Sequence, residues 1–339
     1  MQMEKFYQYL GKRLFWYLLT FVVALMLNFF LPRAIPGNPV DALAARMMQV
    51  GITNADAMAK VYENFTKEFG MDKPLATQFL IFVGNLFNGN LGRSFSQYPR
   101  TVTSVLKNAM GWTLAIQIPG IICGWILGNI LGAVAAYKRG VFDGIIFPVS
   151  LFINSMPFYV MAILLVYFFS IMLGWFPTGG GYGTNLFPSF RWEFIASLLH
   201  HYWLPFSSIV LVAIGGQAIG MRSMAIYELN TDYVQYSKLM GIKDNKIVGY
   251  VFRNAMLPQI TGLIMSLGTM MSGAMIVEIV FGYPGVGHVL FAAIRNNDYP
   301  VISGCTLVIT ITVLIANLAL EIVLGLMDPR IRAQQLEGG

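Results

Sequence analysis

An all-α membrane protein with six spanning helices is the fold this sequence predicts, and three observations carry the prediction. Of the 339 residues, 56% are hydrophobic and only 11% charged, less than half the charge with which a soluble domain covers its surface. Six stretches stay apolar for roughly the 20 residues that a bilayer crossing demands. Lys and Arg gather in alternate loops, the pattern that orients membrane proteins. The same arithmetic excludes disorder, a disulfide scaffold and most soluble enzymes. The net charge of +6 comes with no dense basic cluster, so it fits basic loops at a membrane face rather than nucleic-acid binding.

The spans run Leu14 to Leu31, Trp112 to Tyr137, Phe142 to Leu173, Trp203 to Ile226, Met256 to Phe281 and Val301 to Met327. The third is too long for a straight crossing and holds Pro148 and Pro157, so tilting or kinking is expected. Lys12 and Arg13 precede the first span as in a secretory signal. Its length, Asn28 and the following Leu-Pro-Arg favour a retained span over a cleaved one.

Orientation follows from the basic residues of the short loops. Lys5, Lys12 and Arg13 flank span one, and Lys138 and Arg139 separate spans two and three. Arg222, Lys238, Lys243, Lys246 and Arg253 lie in or beside the loop between spans four and five, and Arg330 and Arg332 follow span six. These loops read as cytoplasmic, which makes both termini cytoplasmic. The short opposite loops hold Arg191 and Arg295. The organisation is then an N-terminus and first span (1–31), an outer helical subdomain (32–111), a five-helix core (112–327) and a cytoplasmic tail (328–339). The subdomain shows helical apolar spacing at Ala57, Val61, Phe65 and Phe69.

Span two carries Gly120, Gly124, Gly128 and Gly132, four apart and therefore on one helix face. Such a ridge lets another helix approach closely, within the chain or from a partner. Residues 215–223, GGQAIGMRS, have the glycine spacing of a phosphate loop. Met221 stands where the lysine belongs and no strand precedes, so nucleotide binding by this chain is not expected. Cys123 and Cys305 read as buried thiols, since no CxxC or Cys/His spacing accompanies them. His200 and His201 are adjacent and point to different helix faces, so with Tyr202 they read as an interfacial edge. No catalytic motif and no metal-ligand spacing stands out.

Glu278 and Glu321 are the carboxylates of spans five and six, and intramembrane carboxylates face a bundle interior or an aqueous path. Glu278 reads as a lock on the adjacent loop or as a substrate contact. With Tyr283 and Pro284 it forms a candidate path or outer gate. Glu321 reads as pairing with a partner chain or snorkelling to the cytoplasmic edge.

The loop at 228–255 is the most unusual polar feature. Asn230 to Asp232 cap a short helix from Tyr233, Gly241 stops it, and Asp244 opens another. An exposed face of Tyr233, Tyr236, Leu239 and Met240 suggests a docking surface.

At this loop, DYVQYSKLMGI followed by RNAMLPQIT resembles the coupling loop of binding-protein-dependent ABC importer permeases of the dipeptide and oligopeptide class. RAIPGNP at 33–39, FGMDKPLATQF at 69–79, GNLGRSF at 89–95, the run 278–304 and MDPRIR at 327–332 are similar to further segments of that family, in order. The resemblance implies the six-helix type I permease fold. It also implies a sister permease as the other half of a heterodimer, two ATPase subunits that bind ATP and Mg, and an extracytoplasmic binding protein. It implies docking of the ATPase on Tyr233, Ser237, Lys238 and Gly241, beside the exposed-face candidates Tyr236 and Met240, and a location in the inner membrane. This chain has Gln235, Tyr236 and Ser237 where the family's loop has Glu-Ala-Ala. Peptides are the implied cargo. Oligosaccharides are the alternative, with WFPTGGGYG at 175–183, Tyr202 and Trp203 as aromatics for sugar rings. An ion-coupled secondary transporter, or a channel or scaffold, is the more remote reading.

Overall fold

The computed structural model describes residues 2–34, 59–60, 63, 66 and 72–327. Ala57, Val61, Phe65 and Phe69, most of the 33–39 motif, and the tail beyond Met327 lie outside the described residues, as does the side chain of Glu321. The described elements are helical: α1 (Gln2–Ala34), α2 (Leu75–Phe87), α3 (Val102–Lys138), α4 (Gly140–Asn154) and α5 (Phe158–Leu165, continued by a π-helical turn Val166–Met172). Then follow α6 (Trp192–Leu229), α7 (Asp232–Leu239), α8 (Asp244–Val280), α9 (Val286–Arg295) and α10 (Tyr299–Met327). Among the described residues, four helices (α1, α3, α6 and α10) are long and apolar enough to cross a membrane, and the α4–α5 pair makes a fifth if counted as one span.

The third predicted span is broken rather than merely tilted. α4 and α5 meet at 101°. Pro148 is accommodated within α4, whereas Pro157 immediately precedes α5. A proline has no N–H to give and restricts the residue before it, so it belongs at the edge of a helix's first turn.

Two compact units divide the chain. The first comprises Met1–Trp112 with Gly285–Leu314. Here Phe29 is fully buried against Phe30, Phe79 and Phe82. Asp298, also fully buried, accepts from the Ser94 hydroxyl at 2.5 Å and the Ser96 amide at 2.8 Å. A carboxylate met by such donors is a strong pin between distant segments. Gly304 lets Val102 approach to where its own Cβ would stand, 2.6 Å from the Val102 side chain.

The second unit comprises Thr113–Pro284 with Ile315–Glu337. It is organised on the α3–α6 seam. A Cβ on Gly124 would stand 2.5 Å from that of Ala213, and one on Gly128 2.8 Å from the Ile214 carbonyl. At Gly132 it would collide with the Ala218 carbonyl, while at Gly120 it meets the Ile209 side chain at 2.9 Å. The four glycines therefore line one seam inside the chain. The next face of α6 closes on α4 in the same way, since a Cβ on Gly215 would sit 2.9 Å from both Asn154 N and Ser150 O. The phosphate-loop lookalike is thus a packing motif. Across a third contact the Trp125 indole donates to the Gln259 carbonyl at 2.8 Å, the kind of interhelical bond that fastens helices where water is scarce.

Candidate functional site

The short helix α7 is held by one face. Val234 is fully buried and Ser237 nearly so, while Tyr236, Leu239 and Met240 are 65%, 83% and 71% exposed. The i, i+3 spacing of 234 and 237 turns that face inward. Val234 enters a cluster with Ala136 of α3, Met221 and Ala225 of α6, and Ile247, Val251 and Ala255 of α8. Burying one such valine contributes roughly 1.5–3 kcal/mol.

Gly241 ends α7 at φ +71°. Its N–H bonds the Lys238 carbonyl at 3.0 Å and the Ile242 N–H bonds the Ser237 carbonyl at 3.1 Å, the paired pattern of a Schellman stop. Nothing stands within 4 Å of a Cβ placed at Gly241, so glycine is needed there for backbone conformation and not for space.

Tyr233 departs from the expected exposed face. It packs against the same cluster, and its hydroxyl donates to Glu228 at 2.8 Å and accepts from Asn254 at 3.2 Å. Burial, and then the bond to Glu228, push the Tyr233 pKa above the usual tyrosine value, so it is a neutral donor at any physiological pH. α7 is thereby tied to the end of α6 and the start of α8. The exposed ledge consists of Tyr236, Leu239 and Met240, with Lys238 beside them.

At the far end of α8, Glu278 is 1% exposed and accepts from the Thr113 hydroxyl at 2.6 Å. Its carbonyl accepts from the Tyr283 amide at 2.8 Å, and Gly282 (φ +54°) closes the helix. Tyr283 is equally buried. The glycine-rich run at 179–180 packs on this turn: Gly180 N–H bonds the Phe281 carbonyl at 2.7 Å, and a Cβ on Gly179 would stand 2.6 Å from that oxygen. Glu278 thus joins α8 to Thr113 of α3 through its side chain, and its carbonyl holds the turn that follows. Neither it, Tyr283 nor Pro284 lines the cavity described next.

That cavity, about 580 Å3, lies within the second unit at the break between α4 and α5. Asn154, Ser155, Met156, Pro157 and Phe158 of the break line it, with Gln117 and Ile121 of α3, Gln217 of α6, and Ser266 and Val277 of α8. The sequence reading looked for carboxylates in the spans and passed over these carboxamides. A polar, uncharged side chain in an apolar span was the signal that would have found them.

His200 and His201 bond different backbone carbonyls, of Trp175 and Ser197, each at 2.7 Å. Cys123 and Cys305 are free thiols, and no cluster able to hold a metal exists among the described residues.

Apolar helices, a bent helix pair lining a cavity and an exposed short helix clamped to two long ones suit a membrane permease. The chain belongs to the family described as binding-protein-dependent transport system inner membrane component, whose model matches residues 128–333. It is similar to a di/tripeptide transport system permease protein of Pseudomonas aeruginosa, 31% identical over 342 residues, covering 96% of this chain and 99% of the relative. A dipeptide transport system permease protein of Lactococcus lactis is 27% identical over 328 residues (96% and 99%). An oligopeptide transport system permease protein of Bacillus subtilis is 29% identical over 311 residues (90% and 93%). The chain is accordingly the non-catalytic, inner-membrane permease component of a binding-protein-dependent transporter. That membership sets aside the secondary-transporter and channel alternatives.

Proposed function

We propose that this chain is one of two related permeases of an ATP-driven importer for dipeptides and oligopeptides. It crosses the membrane six times in the type I permease arrangement, with both termini and the 228–255 loop cytoplasmic. A sister permease completes the path, two ATPase subunits bind the ATP and Mg, and an extracytoplasmic binding protein delivers the cargo. The observation that carries the reading is the α7 ledge. A permease without a nucleotide site receives its energy through a contact that differs between states. An exposed apolar face on a helix clamped to α6 and α8 is suited to transmit it.

Peptide cargo is supported by the names of the relatives. Oligosaccharides stay the alternative cargo, with Trp175 and Trp203 60% and 54% exposed. The glycines at 179–180 pack on Phe281, Tyr202 bonds the Ala115 carbonyl at 3.0 Å, and Phe158 is the one aromatic among the described residues lining the cavity.

The test is co-purification. Leu239→Asp with Met240→Asp places two charges on the proposed interface and should cut recovery of the ATPase subunits at least about tenfold, the equivalent of about 1.4 kcal/mol. Gly241→Val should abolish ATP-coupled uptake because a branched residue is strained at positive φ, while Gly241→Asn should retain it. Full ATPase recovery and unimpaired uptake in these variants would sink the docking role.

A further inference from the structure

We propose that the carboxamides of Gln117, Asn154 and Gln217 form an uncharged station that hydrogen-bonds the main-chain amides of a passing peptide; this rests on the peptide-importer reading above. The three side chains come from α3, α4 and α6 and line one cavity. Gln117 is only 4% exposed and its carboxamide bonds no described residue, while Gln217 is half-buried and Asn154 exposed on the same space. A buried amide left without a partner is destabilising, so each such group calls for an explanation. The buried Gln117 carboxamide, with two further carboxamides bordering the same space, points to a ligand.

Two neighbours supply the contrast. Ser155 and Ser266 also line the cavity, but each returns its hydroxyl to a carbonyl one turn back at 2.8 Å. Their hydrogen bonds stay inside their own helices. The carboxamides remain available to a cargo.

The chemistry of the three groups selects the partner. A carboxamide presents N–H donors and a carbonyl acceptor in one plane. A peptide group carries one N–H and one C=O, so it matches a carboxamide edge to edge. None of the described residues lining the cavity is ionisable. The station therefore reads the main chain and is indifferent to the charge of the cargo's side chains. The helix break fits this role, because transporters place polar contacts to their substrates where helices are interrupted. About 580 Å3 lies within the range of small-ligand sites.

The experiment uses the complete importer, purified through this chain with its partner subunits and binding protein and reconstituted into vesicles. Uptake of two radiolabelled tripeptides, Ala-Lys-Ala and Ala-Glu-Ala, is compared. Asn154→Asp should raise the lysine-to-glutamate uptake ratio about fivefold or more, and Asn154→Lys should lower it comparably, because a fixed charge acts strongly in a poorly solvated path. Gln117→Glu and Gln117→Lys should do the same. Asn154, at the exposed side of the cavity, serves if the buried Gln117 variants fail to fold. Opposite shifts from opposite charges at one position are not produced by a folding defect. Ratios within about twofold of the unsubstituted importer, or equal loss of both peptides, would overturn the station alone. No uptake of either tripeptide by the unsubstituted importer would overturn the peptide reading, and the station with it.

Discussion

Asp143 of α4 and Arg222 of α6 form a two-point ion pair, with Nε and Nη2 of the guanidinium donating to the two carboxylate oxygens at 2.5 and 2.6 Å. The guanidinium also lies over the Phe147 ring, 4.3 Å from its centroid. Arg222 sits one helical turn past Ala218, where the glycine seam is tightest. The pair thus fixes α4 to α6 beside the place where α6 meets α3.

The strength of that pair is predictable from its geometry. Its side chains are 22% and 19% exposed, between a solvated surface pair and a buried one. A double-mutant cycle of Asp143→Asn and Arg222→Gln on thermal melting should return a coupling of about 1–2 kcal/mol. Lysine keeps the charge but loses the fork, so Arg222→Lys alone should already lower the melting temperature. Additive single effects would show that the two side chains act independently.

Alanine substitutions along the α3 ridge should form a graded series. Gly120→Ala meets Cγ2 of Ile209 at 2.9 Å and its Cβ at 3.2 Å, a milder clash than the collision of Gly132→Ala with the Ala218 backbone. Gly132→Ala should cost about 1–3 kcal/mol and Gly120→Ala clearly less. Gly249→Ala is the control: nothing stands within 4 Å of its added Cβ, and in mid-helix it should stabilise by about 0.5–1 kcal/mol. Equal effects at Gly120 and Gly132 would refute the backbone-collision account.

Tyr233→Phe removes the hydroxyl shared by Glu228 and Asn254. Stability should fall by about 0.5–1.5 kcal/mol, and uptake per ATP hydrolysed should fall further, because α7 then loses its side-chain tie to Glu228 of α6 and Asn254 of α8. The raised pKa sets a pH window with a definite sign. The folded protein holds the Tyr233 proton more tightly than the unfolded chain, so this contribution is complete below the ordinary tyrosine pKa and declines as pH rises through the folded value. Coupling should be flat from neutral to mildly alkaline pH and fail only in strong alkali. A loss between about pH 6 and 8, well below the tyrosine range, would show that Tyr233 is not the group responsible.

Much of the helical plan was legible because bilayer crossing imposes a length and a composition that local sequence must satisfy. Four of the six apolar stretches lie in helices long and apolar enough to cross, the third is bent at Pro157, and the fifth lies in α8 as far as Val280. Gly241 marked the end of α7, since positive φ is a local property. The inward turn of Tyr233 was not legible. An amphipathic tyrosine suits a surface or a core edge equally, and its partner Asn254 lies 21 residues away.

The sequence by itself determined where the chain is helical, where polar loops interrupt it and that one face of α3 is bare of side chains. Only the tertiary structure decided what meets that face, which carboxamides share a cavity, and that Asp298 is claimed by Ser94 across 204 residues. The physical reason is range. Helix length, capping and hydropathy act over a few neighbouring residues and are written in order along the chain. A bare ridge, an unpartnered amide or a buried carboxylate states only that a partner is required. Which partner satisfies it depends on how the helices cross, and no stretch of sequence encodes that crossing alone.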